Sequence, residues 1–296
     1  MISNRRLWGV PGQVADLLEQ RYVPVLTAWD LYALIRKAYH VRERTIPGSI
    51  YHHRVRSSLV KAGAIAYDKD YITQYRVLDV DDMPADDIVC LLDRFCHISH
   101  LAAMERWGLT DRRSHNLMIS RPDNKTVQTM IADIMKREEE EVYWEERPTS
   151  PWPGPFRLTN IAHPTQVRGR PIQLRQTRDP GKALKDNNGF ARVSTIGQTF
   201  LDMLQQPALC GGMAHVLEVW DEHAHSYMDT IIEAVNDASS LTKCRAGHII
   251  EERLGVKHPA LDAWQVCAQR GGSSKLDPKR PYIPKWSEKW MISLNV

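Results

Sequence analysis

The sequence predicts an α+β protein: a small N-terminal unit of helices and a hairpin, then a larger mixed unit whose C-terminal half is mostly helical. Three observations predict it. The apolar spacing changes from helical to alternating just after Gly63, an acidic stretch around Pro84 (DVDDMPADD, 79–87) interrupts the chain, and helical spacing runs from Thr195 to about Ala268. The break is placed so that the units are 1–78 and 79–296.

In the first unit, Val14, Leu17 and Leu18 mark a short helix. Thr27 caps a second, with Asp30 at its third position in a reciprocal cap and Leu31, Leu34, Ile35 and Ala38 as its apolar face. A third runs from about Ser49 to Ala62, with Tyr51, Val55, Leu59 and Ala62 on one stripe and Gly63 as the stop. AIAY, a tight DKD turn and YITQYRVL then alternate as a hairpin. Helix, helix, basic helix, hairpin is the order of a winged helix-turn-helix.

In the second unit, Pro84 opens a helix through Ile88, Leu91, Leu92 and Phe95, and Ser99 caps LAAMERW, which Gly108 ends. Asn116 to Ser120 reads as a strand and Val127, Ile131 and Ile134 as a helix behind it. A polar zone from Lys136 to Pro155 divides the unit, and HPTQVRGRPIQLRQT and GFARVS carry strand-like alternation before the helical remainder.

With 43% hydrophobic and 25% charged residues, the chain is neither disordered nor fibrous. It has no apolar run of spanning length and no secretory leader, so a cytoplasmic protein without membrane contact is expected. Five scattered cysteines argue for buried thiols rather than a disulfide frame. Residues 1–76 hold twelve Lys and Arg against six carboxylates; of the chain's net +3, that quarter carries +6 and the rest −3. A polyanion is therefore expected at the N-terminal end.

With the stripe of the third helix turned inward, Ser49, His52, His53, Arg56, Ser57 and Lys61 project outward toward a major groove, while Arg42, Arg44 and Lys69 hold flanking phosphates. Double-stranded DNA is the expected partner. The spacing of Cys90, Cys96, His97 and His100 fits no common zinc frame, so no metal is expected there. Neither phosphate-cradling glycine motif occurs, and no catalytic residue or cofactor is assigned. The alternative is a DNA-directed nuclease with a DNA-binding head.

RFCHISHLAAMERWGLTD resembles the ISH-x-SAL-x-x-x-GL segment of AbiEi-type antitoxins of type IV toxin–antitoxin systems, and RVSTIGQTFLDMLQQPALCGGMAHVLEVW is similar to a second segment of that family. The ending, AGHIIEERLG through RGGSSKLDP to SEKWMISLNV, is similar to the tail of one branch. The matched positions are Ser99, His100, Ala103 and Gly108, then Ser194, Thr199, Leu201, Asp202, Pro207, Gly211 and Gly212; Ala102 stands where the family commonly has serine. The resemblance implies an antitoxin that represses its own operon through operator DNA, as paired copies on operator repeats. It also implies that the C-terminal part opposes a nucleotidyltransferase-like toxin. Asp202, a carboxylate on an apolar helix, is a candidate partner contact, or else a buried cap. Arg270, Lys275 and Arg280 form a basic loop near Trp286 and Trp290, suited to a nucleotide, RNA or an acidic toxin face, or to a tail packed as a lid.

Overall fold

The computed structural model describes residues 7–43, 49–143, 157–269 and 274–296, with the side chains of 40–43, 49 and 139–143 left aside. The chain opens with α1 (Val10–Arg21), β1 (Val25–Leu26), α2 (Ala28–Glu43), α3 (Ser49–Ala62), β2 (Ile65–Tyr67) and β3 (Tyr75–Val77). Pro11 suits the first turn of α1, whose Val10, Val14 and Leu18 face inward at intervals of four. The cap of α2 is reciprocal: the Thr27 hydroxyl oxygen accepts from the Asp30 N–H at 3.0 Å, and the Asp30 carboxylate accepts from the Thr27 N–H at 3.0 Å. Three short strands form an antiparallel sheet in the order β1-β3-β2. Val10, Leu18, Leu31, Ile35, Val55, Leu59, Ile65 and Val77 lie in one apolar cluster that continues to Val80.

Two details differ from the sequence reading. The two-residue strand β1 is too short to leave a periodic signal. The hairpin turn is not a tight DKD but a seven-residue loop, 68–74, because Asp68 Oδ1 accepts the N–H groups of Asp70 and Tyr71 and winds the chain locally.

The larger part follows with α4 (Ala85–Leu92), β4 (His97–Ile98), α5 (His100–Arg106), β5 (Leu117–Pro122), α6 (Asn124–Tyr143), β6 (Gln166–Val167), β7 (Arg170–Thr177), β8 (Ala183–Lys185) and β9 (Arg192–Ser194). The six strands make one mixed sheet in the order β6-β7-β5-β4-β9-β8, with β5–β7 and β4–β9 parallel. Ile88, Val89, Ile98, Leu117, Ile119 and Val193 bury one side of it.

The C-terminal half is helical: α7 (Ile196–Gln205), α8 (Met213–His223), α9 (Met228–Asn236), α10 (Ser240–Gly247) and α11 (Pro259–Gln265). Phe200 and Trp220 meet edge to face at the centre of its cluster, 5.2 Å between ring centroids. Gly197 lets α7 approach α9, since a Cβ there would stand 2.3 Å from the Thr230 carbonyl oxygen. Gly247 likewise makes room for the buried Trp290 of the tail. The whole is an α+β fold with a mostly helical C-terminal half. Among the described residues no helix is long and apolar enough to cross a membrane.

Candidate nucleic-acid interface

The outer surface of α3 is set by how the helix rolls on its neighbours. Val55, Leu59 and Ala62 are buried and His53, Arg54, Ser57 and Lys61 are exposed, so the latter share one solvent-facing row. The helix contains Arg54, Arg56 and Lys61 and no carboxylate. Arg54 was absent from the residues that the sequence pointed to. Conversely, His52 is only 2% exposed, with its ring 5.7 Å from that of Tyr32 on α2. Burial, then the charges of His53 and Arg56, bring its pKa down to about 4, so it is a neutral interior group and not an outward-facing contact. The inward stripe is wider than its four residues suggest because α2 lays aromatic rings against α3, and the exposed row is displaced to include Arg54. Arg56 is half-buried, directed at the Tyr75 hydroxyl at 3.5 Å, with Tyr75 stacked on Tyr67. The side chains of Arg42 and Ser49, and the whole of Arg44, lie outside the described residues.

Lys69 stands exposed in the 68–74 loop, with Asp82 3.7 Å away. Its neighbours Asp68 and Asp70 turn toward the body, to Arg168 in the tight turn between β6 and β7. The Arg168 guanidinium is 8% exposed; it donates to Asp68 at 2.6 Å and Asp82 at 3.0 Å, and its N–H donates to Asp70 at 2.9 Å. Burial alone would raise the Asp68 pKa, yet the Arg168 hydrogen bonds and two backbone N–H groups hold it below the usual carboxylate range. Beside this joint runs a second chain of contacts: the Tyr71 hydroxyl to His163 Nδ1 (2.8 Å), His163 Nε2 to Asp93 (2.9 Å), and Arg121 to Asp93 (3.1 Å). Asp93, Cys96 and His163 place their ligand atoms within 4.8 Å of one another. Arg121 already supplies the cation at Asp93, and burial pushes the Cys96 thiol well up, so the group works as a hydrogen-bond network.

The two sequence motifs converge inside the larger part. Ser99 and His100 on one side, and Ser194, Thr199 and Asp202 on the other, are all buried, and the His100 backbone N–H, donating to Asp202, links them into one polar cluster. The Ser99 and Ser120 hydroxyls share a 2.8 Å hydrogen bond, and His100 Nδ1 lies 2.8 Å from Ser99 Oγ. Ser99 occupies the N-cap position of α5 without a side-chain cap, its hydroxyl being engaged in this network. His100 is held at φ 53, a left-handed conformation uncommon for a residue with a Cβ and tolerated where surrounding contacts over-determine it. Asp202 accepts from Gln198 at 2.9 Å and Ser194 at 3.5 Å. Burial raises its pKa to about 6, and burial lowers His97 to about 4 and His100 to about 3. At 2% exposure Asp202 cannot touch a partner, so that candidate contact is corrected to an interior acceptor.

At the C-terminus, Lys275 Nζ donates to the Arg280 carbonyl at 2.9 Å and Arg280 faces Asp277 at 3.7 Å, while Arg270 lies outside the described residues. The two tryptophans separate: Trp290 is fully buried and Trp286 is exposed. No protein-family model matches the chain, and no curated protein matches it. Among solved structures it is similar to the RV2827C protein from Mycobacterium tuberculosis, at TM-score 0.48 and 11% identity over 98% of this chain and 92% of that one, a likeness too distant to carry an argument.

Proposed function

We propose that this chain is a DNA-binding regulator whose N-terminal unit is a winged helix that lays α3 along duplex DNA. Following the motif resemblance, it is the antitoxin and autorepressor of a type IV toxin–antitoxin operon. The observation that carries the DNA reading is the exposed row His53, Arg54, Ser57 and Lys61 on a helix without carboxylates. Guanidinium and ammonium groups spaced along one helix face suit phosphate oxygens and the acceptor edges of guanine. The element order and the β1-β3-β2 sheet support the winged-helix reading, with the 68–74 loop as the wing and Lys69 as its exposed cation. The burial of Ser99, His100, Ser194, Thr199 and Asp202 supports their use as architecture that shapes the larger part, which in this reading opposes a nucleotidyltransferase-like toxin.

Fluorescence anisotropy on labelled promoter duplex across a salt series tests it. Log K falls linearly with log salt, and each lost phosphate contact flattens the slope by about 0.9. The double variant Arg54→Ala/Lys61→Ala is expected to flatten it by roughly 2 and to weaken low-salt binding about tenfold or more. Unchanged affinity and slope in that variant would remove α3 as the DNA-facing helix.

A further inference from the structure

We propose that the loop spanning residues 277–286 near the C-terminus is a binding platform for single-stranded nucleic acid, with Tyr282 and Trp286 as base-stacking surfaces and Lys279, Arg280 and Lys285 as phosphate contacts. The tail divides its large apolar side chains by role. Leu276, Trp290 and Ile292 are buried in the helical cluster and dock the tail on the body. Tyr282 and Trp286 take no part in that docking: they are 49% and 51% exposed. Two half-exposed rings within one short loop are an unusual use of surface, because rings of this size ordinarily bury most of their area unless a ligand covers them.

Their backbone is fixed. The buried Asn295 donates from Nδ2 to the carbonyls of Asp277, Arg280 and Pro281 at 2.9, 3.1 and 3.1 Å. The buried Ser293 hydroxyl accepts from the Ile283 N–H at 3.0 Å and donates to the Ile283 carbonyl at 2.8 Å. Ser293 also forms a bridge with Trp286, and the Leu294 N–H donates to the Lys285 carbonyl at 2.8 Å. Asn295 thus holds the loop just before Tyr282, and Ser293 holds it between Tyr282 and Trp286, so a ligand would find the rings already presented and would not have to order the loop.

The charge around the rings is predominantly positive. Residues 274–296 contain Lys275, Lys279, Arg280, Lys285 and Lys289 against Asp277 and Glu288. Lys289 pairs with Glu251 and Arg280 leans on Asp277, whereas among the described residues Lys279 and Lys285 have no ion pair. Cations alone would serve an acidic protein surface equally well. Exposed rings between them favour unpaired bases, whose faces are open for stacking, over a duplex, whose base faces are covered.

This surface is separate from α3, and its test is arranged so that the two readings fail independently. The full chain carrying Arg54→Glu/Lys61→Glu is titrated with fluorescein-labelled dT12 and rU12, following anisotropy and tryptophan quenching, with poly-glutamate as a third probe. Binding of an oligonucleotide is expected to persist in that background, to weaken with salt, and to drop about tenfold or more on Trp286→Ala and on Tyr282→Ala. Trp286→Phe, which keeps a ring, is expected to retain most of the affinity. The relative affinity of dT12 and rU12 tells whether the natural strand is DNA or RNA. Absence of oligonucleotide binding at low salt, affinity indifferent to Trp286→Ala, or equal binding of poly-glutamate that ignores the ring variants would each overturn the proposal.

Discussion

Asp202 and His100 sit in the same buried polar cluster and respond to pH in opposite directions. Burial raises the Asp202 pKa from 3.8 to about 6, so its contribution to stability is fully present below pH 3.8 and is lost as pH rises through about 6. Burial lowers His100 to about 3 and His97 to about 4, so their contributions are present above pH 6.5 and are lost as pH falls toward those values. Asp202→Asn keeps an acceptor for Ser194 and an amide that can pair with Gln198, yet it cannot ionise. Between pH 5 and pH 7 the native chain is therefore expected to lose about 1 kcal/mol relative to this variant, since one pKa unit is about 1.4 kcal/mol. Urea unfolding of both proteins at the two pH values measures it. Parallel stability changes would mean that Asp202 stays ionised throughout and that the cluster solvates its charge.

At the scale of the elements, near and distant causes separate. The start of α2 depends on residues three apart, Thr27 and Asp30, and is readable directly from the sequence. Thr27→Ala removes the hydroxyl that caps the Asp30 N–H and leaves Asp30 half-employed, so a loss of about 1 kcal/mol in urea unfolding is expected; no measurable change would show that the cap is replaced by water. The stripe and stop of α3 were legible for the same reason. Its roll was not: whether His52 or Arg54 faces water depends on Tyr32, which comes from a different helix. The hairpin loop was opaque as well: the DKD sequence looks like a tight turn, but Asp68 winds the chain by accepting the Asp70 and Tyr71 N–H groups, and Arg168 from across the chain holds Asp68 and Asp70 in place. Ser99 sits at the predicted cap position, but it answers to Ser120 on a neighbouring strand. Among the tail aromatics, sequence alone grouped Trp286 with Trp290, and only the space made by Gly247 separates a buried anchor from an exposed ring.

At the scale of the whole molecule, contacts of differing specificity join the N-terminal unit to the body. Trp29 and Tyr32 pack with Val127, Ile131 and Met135 of α6, an apolar contact that tolerates sliding. Tyr71, His163, Asp93 and Arg121 add a directional chain of hydrogen bonds. Arg168 goes further by binding Asp68, Asp70 and Asp82 with a single fork, fixing the loop in one register on the β6–β7 turn. Arg168→Ala would leave the buried Asp68 carboxylate without its counter-charge, a loss of about 3 kcal/mol or more by analogy with other broken buried pairs. Arg168→Lys restores the charge without the fork and should recover only part of it. The N-terminal cluster from Val10 to Val80 does not include Arg168, so that unit is expected to stay folded while its seat loosens. Hydrogen exchange read by mass spectrometry should then show faster exchange across residues 68–74 and 166–169 in Arg168→Ala, with β5 and α7 unchanged. Uniform acceleration across the chain would mean instead that the joint is an integral part of one cooperative core, and unchanged exchange in the loop would mean that the apolar contact with α6 and the Tyr71–His163–Asp93 hydrogen bonds fix the seat without Arg168.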